Sequence, residues 1–195
     1  MRAHSRGAAL IDVVFTCGLV AVIAAIAIPT LHATRDRDAA RMAARYLANR
    51  LHVVRTEAIR RNTQVALRVD ADDRDFIGMY ADGDGDGVLQ RDIDRGIDRA
   101  IAPDVHLADL FAAVALNIAA DVPDPDGNGT LLAGSDPVRI GSSTLWSFSP
   151  IGSATSGTVY LAARTGPQVA LRVLGATGRT RVLWFDAASS TWREE

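Results

Sequence analysis

The stretch DGDGDGVLQRDID, residues 82–94, is dense in side-chain oxygen. Asp82, Asp84 and Asp86 alternate, and Gly87 follows them. A hard cation such as calcium needs several oxygens converging around a sharp glycine turn, and this spacing matches the first half of a calcium loop. In a full loop of that kind the twelfth position is a bidentate glutamate. Here that position is Ile93, and Asp92 and Asp94 stand on either side, so Asp92 is the candidate closing ligand. A shorter echo, DPDGNG, offers Asp124, Asp126 and Asn128. The same Asp/Gly composition also describes solvated turns between elements. Calcium is the ion these residues could hold, and the sequence points to no other cofactor.

Other chemistry finds little footing. His4 lies near the chain start, His32 and His52 fall on a helical pattern, and His106 follows a proline-containing turn. None has a cysteine or another nucleophile at helpful spacing. No glycine-rich phosphate loop and no zinc-spaced cluster occurs, so an enzyme is not expected. Arg179 and Arg181, in the segment GRTR, could hold phosphates bidentately. Against a nucleic-acid role, Asp186, Glu194 and Glu195 lie close in sequence, and the chain's formal net charge is -2. DNA affinity normally draws on several clustered cations.

One further acid is out of place. Asp12 heads an apolar run, and from Val13 to Leu31 there is no charge at all. As a helix that run spans roughly 28 Å, close to the hydrocarbon thickness of a bilayer. It is longer than the apolar core of a cleaved secretory signal, so the segment is expected to be retained. Arg2 and Arg6 precede it, which predicts a cytoplasmic N-terminus and everything beyond Leu31 on the far side. A carboxylate in lipid is costly, so Asp12 should have a partner or a task. The single cysteine, Cys17, lies in the same run and has no partner for an intrachain disulfide.

The elements that must carry these residues follow from periodicity. From Thr34 to Arg61, Ala40, Ala43, Leu47, Leu51, Val54 and Ala58 recur at intervals of three and four. They predict an amphipathic continuation of the apolar helix, with a kink or local melting at Pro29. After Asn62 the pattern changes to short runs rich in branched and aromatic residues. Val65 to Val69, Phe76 to Tyr80, Leu145 to Phe148, Thr158 to Ala162, Val169 to Leu174 and Arg181 to Phe185 read as strands. The fold class is therefore α+β, a long N-terminal helix whose amphipathic half covers one face of an antiparallel sheet.

Two resemblances attach to these features. Gly7, then an apolar segment with Asp12 and Pro29, resembles the class III leader of type IV pilins and type II secretion pseudopilins. Counting Ala8 as the first mature residue, Asp12 takes the fifth position and Pro29 the twenty-second, where those proteins usually carry glutamate and proline. Ala8 departs from their usual Phe or Met. The resemblance implies cleavage after Gly7 by a prepilin peptidase and methylation of Ala8. It also implies that Asp12 meets a mature N-terminal amine, its own or a neighbour's, when helices assemble into a filament.

The C-terminal half is similar to the GspH/FimT family of minor pseudopilins and minor pilins. The carrying residues are Phe148-Ser149-Pro150-Ile151-Gly152, Gly157-Thr158-Val159-Tyr160-Leu161, Val169 to Val173 and Gly178-Arg179-Thr180-Arg181-Val182. Together the resemblances imply a pilin-like fold with a leader at 1–7, a membrane helix at 8–31, its amphipathic continuation at 32–61 and a periplasmic β-rich domain at 62–195. They imply an inner-membrane, single-pass protein of a filament, with other pilins or pseudopilins as partners and secreted protein as cargo. The favoured role is a minor pseudopilin that initiates or caps a type II secretion pseudopilus. The alternative is a minor pilin that binds DNA through Arg179 and Arg181 during uptake.

Overall fold

The computed structural model describes residues 5–164 and 167–194, with side chains from Asp12 onward except at 28–30, 32 and 33. The chain divides into two compact units, Met1–Arg35 and Asp36–Glu195. The first unit contributes the beginning of α1 (Ser5–Arg61). Its described apolar residues face outward: Val13, Val14, Phe15, Leu19, Val20, Val22, Ile23, Ile26 and Leu31 are all exposed. Among the described residues no helix is long and apolar enough to cross a membrane. The span read from sequence at 8–31 lies partly outside them, as do the side chains of Gly7, Ala8 and Pro29.

In the second unit α1 turns its apolar stripe inward. Ala40, Ala43, Ala44, Leu47, Leu51, Val54 and Ala58 are completely buried, the face that the three-and-four spacing predicts. The helix stops at Asn62, which takes a left-handed φ of 52°, while the Thr63 N–H bonds back to the Ala58 carbonyl at 3.3 Å. This closes the last turn as a Schellman-type cap. Arg60 and Arg61 in that turn lie at the negative end of the helix dipole and share Glu57.

The strands follow in hairpins. β1 (Val65–Asp70) and β2 (Phe76–Ala81) pair in antiparallel register, Val65 opposite Ala81 through Asp70 opposite Phe76. A short helix α2 (Gln90–Asp94), two-residue strands β3 (Arg99–Ala100) and β4 (Val105–His106) and one turn of helix α3 (Leu107–Leu110) come next. Then come β5 (Val114–Leu116), the small ribbon of β6 (Val122–Pro123) with β7 (Thr130–Leu131), β8 (Val138–Ile140) and β9 (Leu145–Phe148). A meander of β10 (Gly157–Ala163), β11 (Gln168–Leu174), β12 (Arg179–Asp186) and β13 (Thr191–Glu194) ends the chain.

These strands form two main sheets rather than the single one expected. β9 pairs with β1 and not with β10, which follows it in the chain, giving the order β3-β2-β1-β9 with β4 also on β2. The second sheet runs β13-β12-β11-β10-β5, with β8 also on β10. Both sheets send apolar residues into one core with the buried stripe of α1: Leu67, Val69, Ile77 and Met79 from the first, Val159, Leu161, Val169 and Leu171 from the second. The reason lies in the stripe itself. Four of its seven residues are alanine, so strands of both sheets can approach the helix closely.

The second sheet has a further core on its other face. Tyr160, Ala170 and Leu183 pack there with Ile118, Val122 and Leu131 from the 117–135 excursion. Gln168 anchors that excursion: its Nε2 donates to the carbonyls of Asn117 and Leu161, and its Oε1 accepts the Ala119 N–H.

Candidate functional site

Three regions carry the residues singled out above. On α1, Asp12 is exposed, and the Thr16 hydroxyl donates back to its backbone carbonyl at 2.8 Å. Its neighbours on the following turns are the exposed apolar residues already described.

The Asp-rich loop is the second region. Asp82, Asp84 and Asp86 each bring a carboxylate oxygen to within 4.8 Å of the others. The carboxyl of Asp84 is held above its usual range, first by partial desolvation and then by the Asp86 carboxyl beside it. Two of the three acids already have work. Asp82 Oδ1 accepts the N–H groups of Asp84 and Gly85 at 3.2 and 2.7 Å, and its Oδ2 accepts that of Gly87 at 3.1 Å. Asp86 holds Arg91 at 2.8 Å. Asp92 does not join the group. It is buried, with Arg91 Nε at 3.0 Å and Arg95 Nη1 at 3.8 Å, and its carbonyl accepts the N–H groups of Ile97 and Asp98.

The closing carboxylate of this loop is one the spacing did not reveal. Asp98 is 2% exposed, and its two oxygens accept the Gly83 N–H at 3.0 Å and the Leu89 N–H at 2.8 Å. It ties both limbs of the loop through these two hydrogen bonds. Gly83 is needed there because a Cβ would stand 2.2 Å from the Ile97 carbonyl oxygen. The three clustered acids offer oxygen ligands of the type calcium takes, but the geometry leaves Asp84 alone uncommitted to Arg91 or to the turn's own Asp82 staple. In the second acidic motif, Asp124 is buried and accepts the Asp126 N–H, and Asp126 is paired with Arg172.

The third region is the start of β12. Gly178 takes a φ of 60° and lets the chain turn back from β11, which places Arg179 and Arg181 two residues apart on one face. Glu194 on β13 serves both: its Oε1 lies 3.3 Å from Arg179 Nη2 and 3.6 Å from Arg181 Nε. The pair is thus partly neutralised within its own sheet. The sequence shows Glu194 as an acid near the pair, and the register of β12 with β13 makes it their partner.

Comparison with curated proteins gives no match, and comparison with solved structures gives none. A family model does match: that of type II transport protein GspH, over residues 43–178, from the buried stripe of α1 to the glycine before β12. The match covers well over half of the chain, so this protein belongs to the GspH family and is a pseudopilin-like component of type II secretion.

Proposed function

We propose that this protein is a minor pseudopilin that helps to initiate or cap a periplasmic pseudopilus and so supports protein secretion. The observation that carries the reading is the change of character along α1. Its buried stripe from Ala40 to Ala58 serves the fold of the second unit, whereas among the described residues nine large apolar side chains from Val13 to Leu31 stand exposed. Such a surface calls for lipid or for the helices of other subunits. In this reading residues 1–7 are a leader removed by a prepilin peptidase after Gly7, and Ala8 becomes the methylated N-terminus. The segment 8–31 anchors the protein in the inner membrane, N-terminus cytoplasmic and second unit periplasmic. Pro29 lies where α1 leaves the lipid, within a helix that runs on to Arg61. The role is structural, as expected of the family, and involves no catalysis.

Asp12 is the assembly residue. Packing apolar helices together desolvates its carboxylate and a mature amine, and each then needs the other. Asp12→Ala should leave leader removal and folding of the second unit intact while abolishing incorporation into the filament, and Asp12→Glu should retain it. Crosslinking in cells that carry the secretion system reads the outcome. Assembly of Asp12→Ala at the wild-type level would refute this role. DNA binding through Arg179 and Arg181 is the lesser reading, because Glu194 already sits against both.

A further inference from the structure

The face of the second sheet turned away from α1 carries a cavity of about 370 Å³. Its floor is one cross-strand row. Thr158 on β10 stands opposite Arg139 on β8 and opposite Arg172 on β11, and Tyr160 follows two residues along on the same face. The turn 124–128 stands over it. That turn is held from several directions: Arg172 pairs with Asp126 and donates to the Pro125 carbonyl, and the Trp192 indole N–H donates to the Pro123 carbonyl at 2.7 Å.

The cavity's polar groups are not mutually satisfied. Tyr160 is completely buried and Thr158 is 2% exposed, and neither hydroxyl has a hydrogen-bond partner. A buried hydroxyl left unpaired costs about 1–3 kcal/mol, so two in one cavity mark a place where an acceptor belongs. Arg139 adds guanidinium donors, and among the described residues it has no ion-pair partner, whereas Arg172 is occupied by Asp126. Two O–H donors and a free guanidinium therefore converge on one space.

The charges around that space select the acceptor. Arg139 and Arg172 oppose Asp124 and Asp126, so the lining sums to zero before anything enters. A metal cation would face both guanidinium groups. A polyanion would bring further negative charge against Asp124 and Asp126. A single monoanion with two acceptor oxygens matches the donors, avoids the repulsion a cation meets and brings the least negative charge against Asp124 and Asp126, and a planar carboxylate fits a guanidinium fork. We propose that this cavity binds a carboxylate group, either of a free organic acid or of an acidic side chain on a protein segment.

Calorimetric titration of the full chain tests it with three probes: sodium acetate, the peptide acetyl-Ala-Glu-Ala-amide and its Gln counterpart. The expected result is saturable binding of acetate and the Glu peptide and none of the Gln peptide. Arg139→Gln should weaken the carboxylate probes at least tenfold, and Tyr160→Phe, which keeps the ring in its core, should weaken them severalfold. A Glu peptide that binds tenfold or more tighter than acetate assigns the carboxylate to a protein segment. Equal affinities assign it to a free acid. Binding of the Gln peptide as tightly as the Glu peptide, unchanged affinity in Arg139→Gln, or no saturation by either carboxylate probe would overturn the proposal.

Discussion

Asp98 should be the most costly acid to remove from the loop that precedes β3. Its carboxylate is 2% exposed and accepts two backbone N–H groups, Gly83 at 3.0 Å and Leu89 at 2.8 Å. A hydrogen bond to a charged group is worth about 1.5–3 kcal/mol, so two contribute about 3–6 kcal/mol. Desolvating the carboxylate offsets part of this, which leaves about 2–4 kcal/mol for Asp98→Ala. In a domain of this size each kcal/mol moves the unfolding midpoint by about 2–4 °C, so a fall of about 5–15 °C is expected. Asp98→Asn keeps one acceptor oxygen but turns its NH2 toward an N–H donor, and should not restore the wild-type value. Asp94→Ala is the control: it loses one exposed bond from Gln90 and should stay within about 0.5 kcal/mol of wild type. Thermal unfolding by circular dichroism, in excess chelator so that no divalent ion contributes, measures all three. If Asp98→Ala and Asp94→Ala melt together, the loop is not held by Asp98 and the account of its geometry fails.

Calcium titration of the wild-type chain should saturate only in the range of about 0.1–1 mM, because Asp82 and Asp86 are already committed, and Asp84→Ala should remove the heat; absence of any signal at 10-fold higher calcium leaves a hydrogen-bonded turn. Glu57 is depressed from about 4.5 to about 2, first by its hydrogen bond from Arg60 and then by that from Arg61. A depressed carboxyl stabilises the fold above the unfolded value and loses that contribution as pH falls from about 4.5 toward 2, so Glu57→Gln should flatten the midpoint's pH dependence in that window; an unchanged slope would refute it. Leu47→Ala should cost about 2–5 kcal/mol, while Met42→Ala, on the exposed side of the same helix, should fall within about 0.5 kcal/mol of wild type; similar losses at both would contradict the assigned buried face.

Local pattern and long-range closure separate cleanly in this chain. The buried stripe of α1 was readable because a helix repeats its contacts every three or four residues, and Ala40, Leu47 and Ala58 obey that rule whatever they pack against. β1, β2 and β9–β11 were readable to within a residue or so, since their alternation reports a half-buried pleat. β12 begins two residues earlier than the branched residues suggest, because Gly178 turns the chain there and Arg179 already pairs with Leu174. The split into two sheets was not readable. It depends on β9 choosing β1, about eighty residues away, over its neighbour β10, and side-chain alternation says nothing about which edge a strand will meet.

The same distinction explains the sites. Asp82 to Asp86 announced themselves because a motif is local, and the structure does bring those three carboxylates together. Asp98 did not, because its partners Gly83 and Leu89 lie fifteen and nine residues upstream and no spacing rule connects them. Arg179 and Arg181 suggested an anion site by their own spacing, and the register of β12 with β13 then brought Glu194 against them. Arg139 is the converse case. It stands alone in an unremarkable segment, and only the pairing of β8 with β10 sets it beside the unpaired hydroxyls of Thr158 and Tyr160. A charge that sequence spacing makes conspicuous can be neutralised by the fold, and one that spacing hides can be left unpaired by it. Among the described residues, the unpaired hydroxyls on the second sheet and the exposed apolar surface beyond Asp12 are two such remainders, and each is proposed above as a surface for a partner.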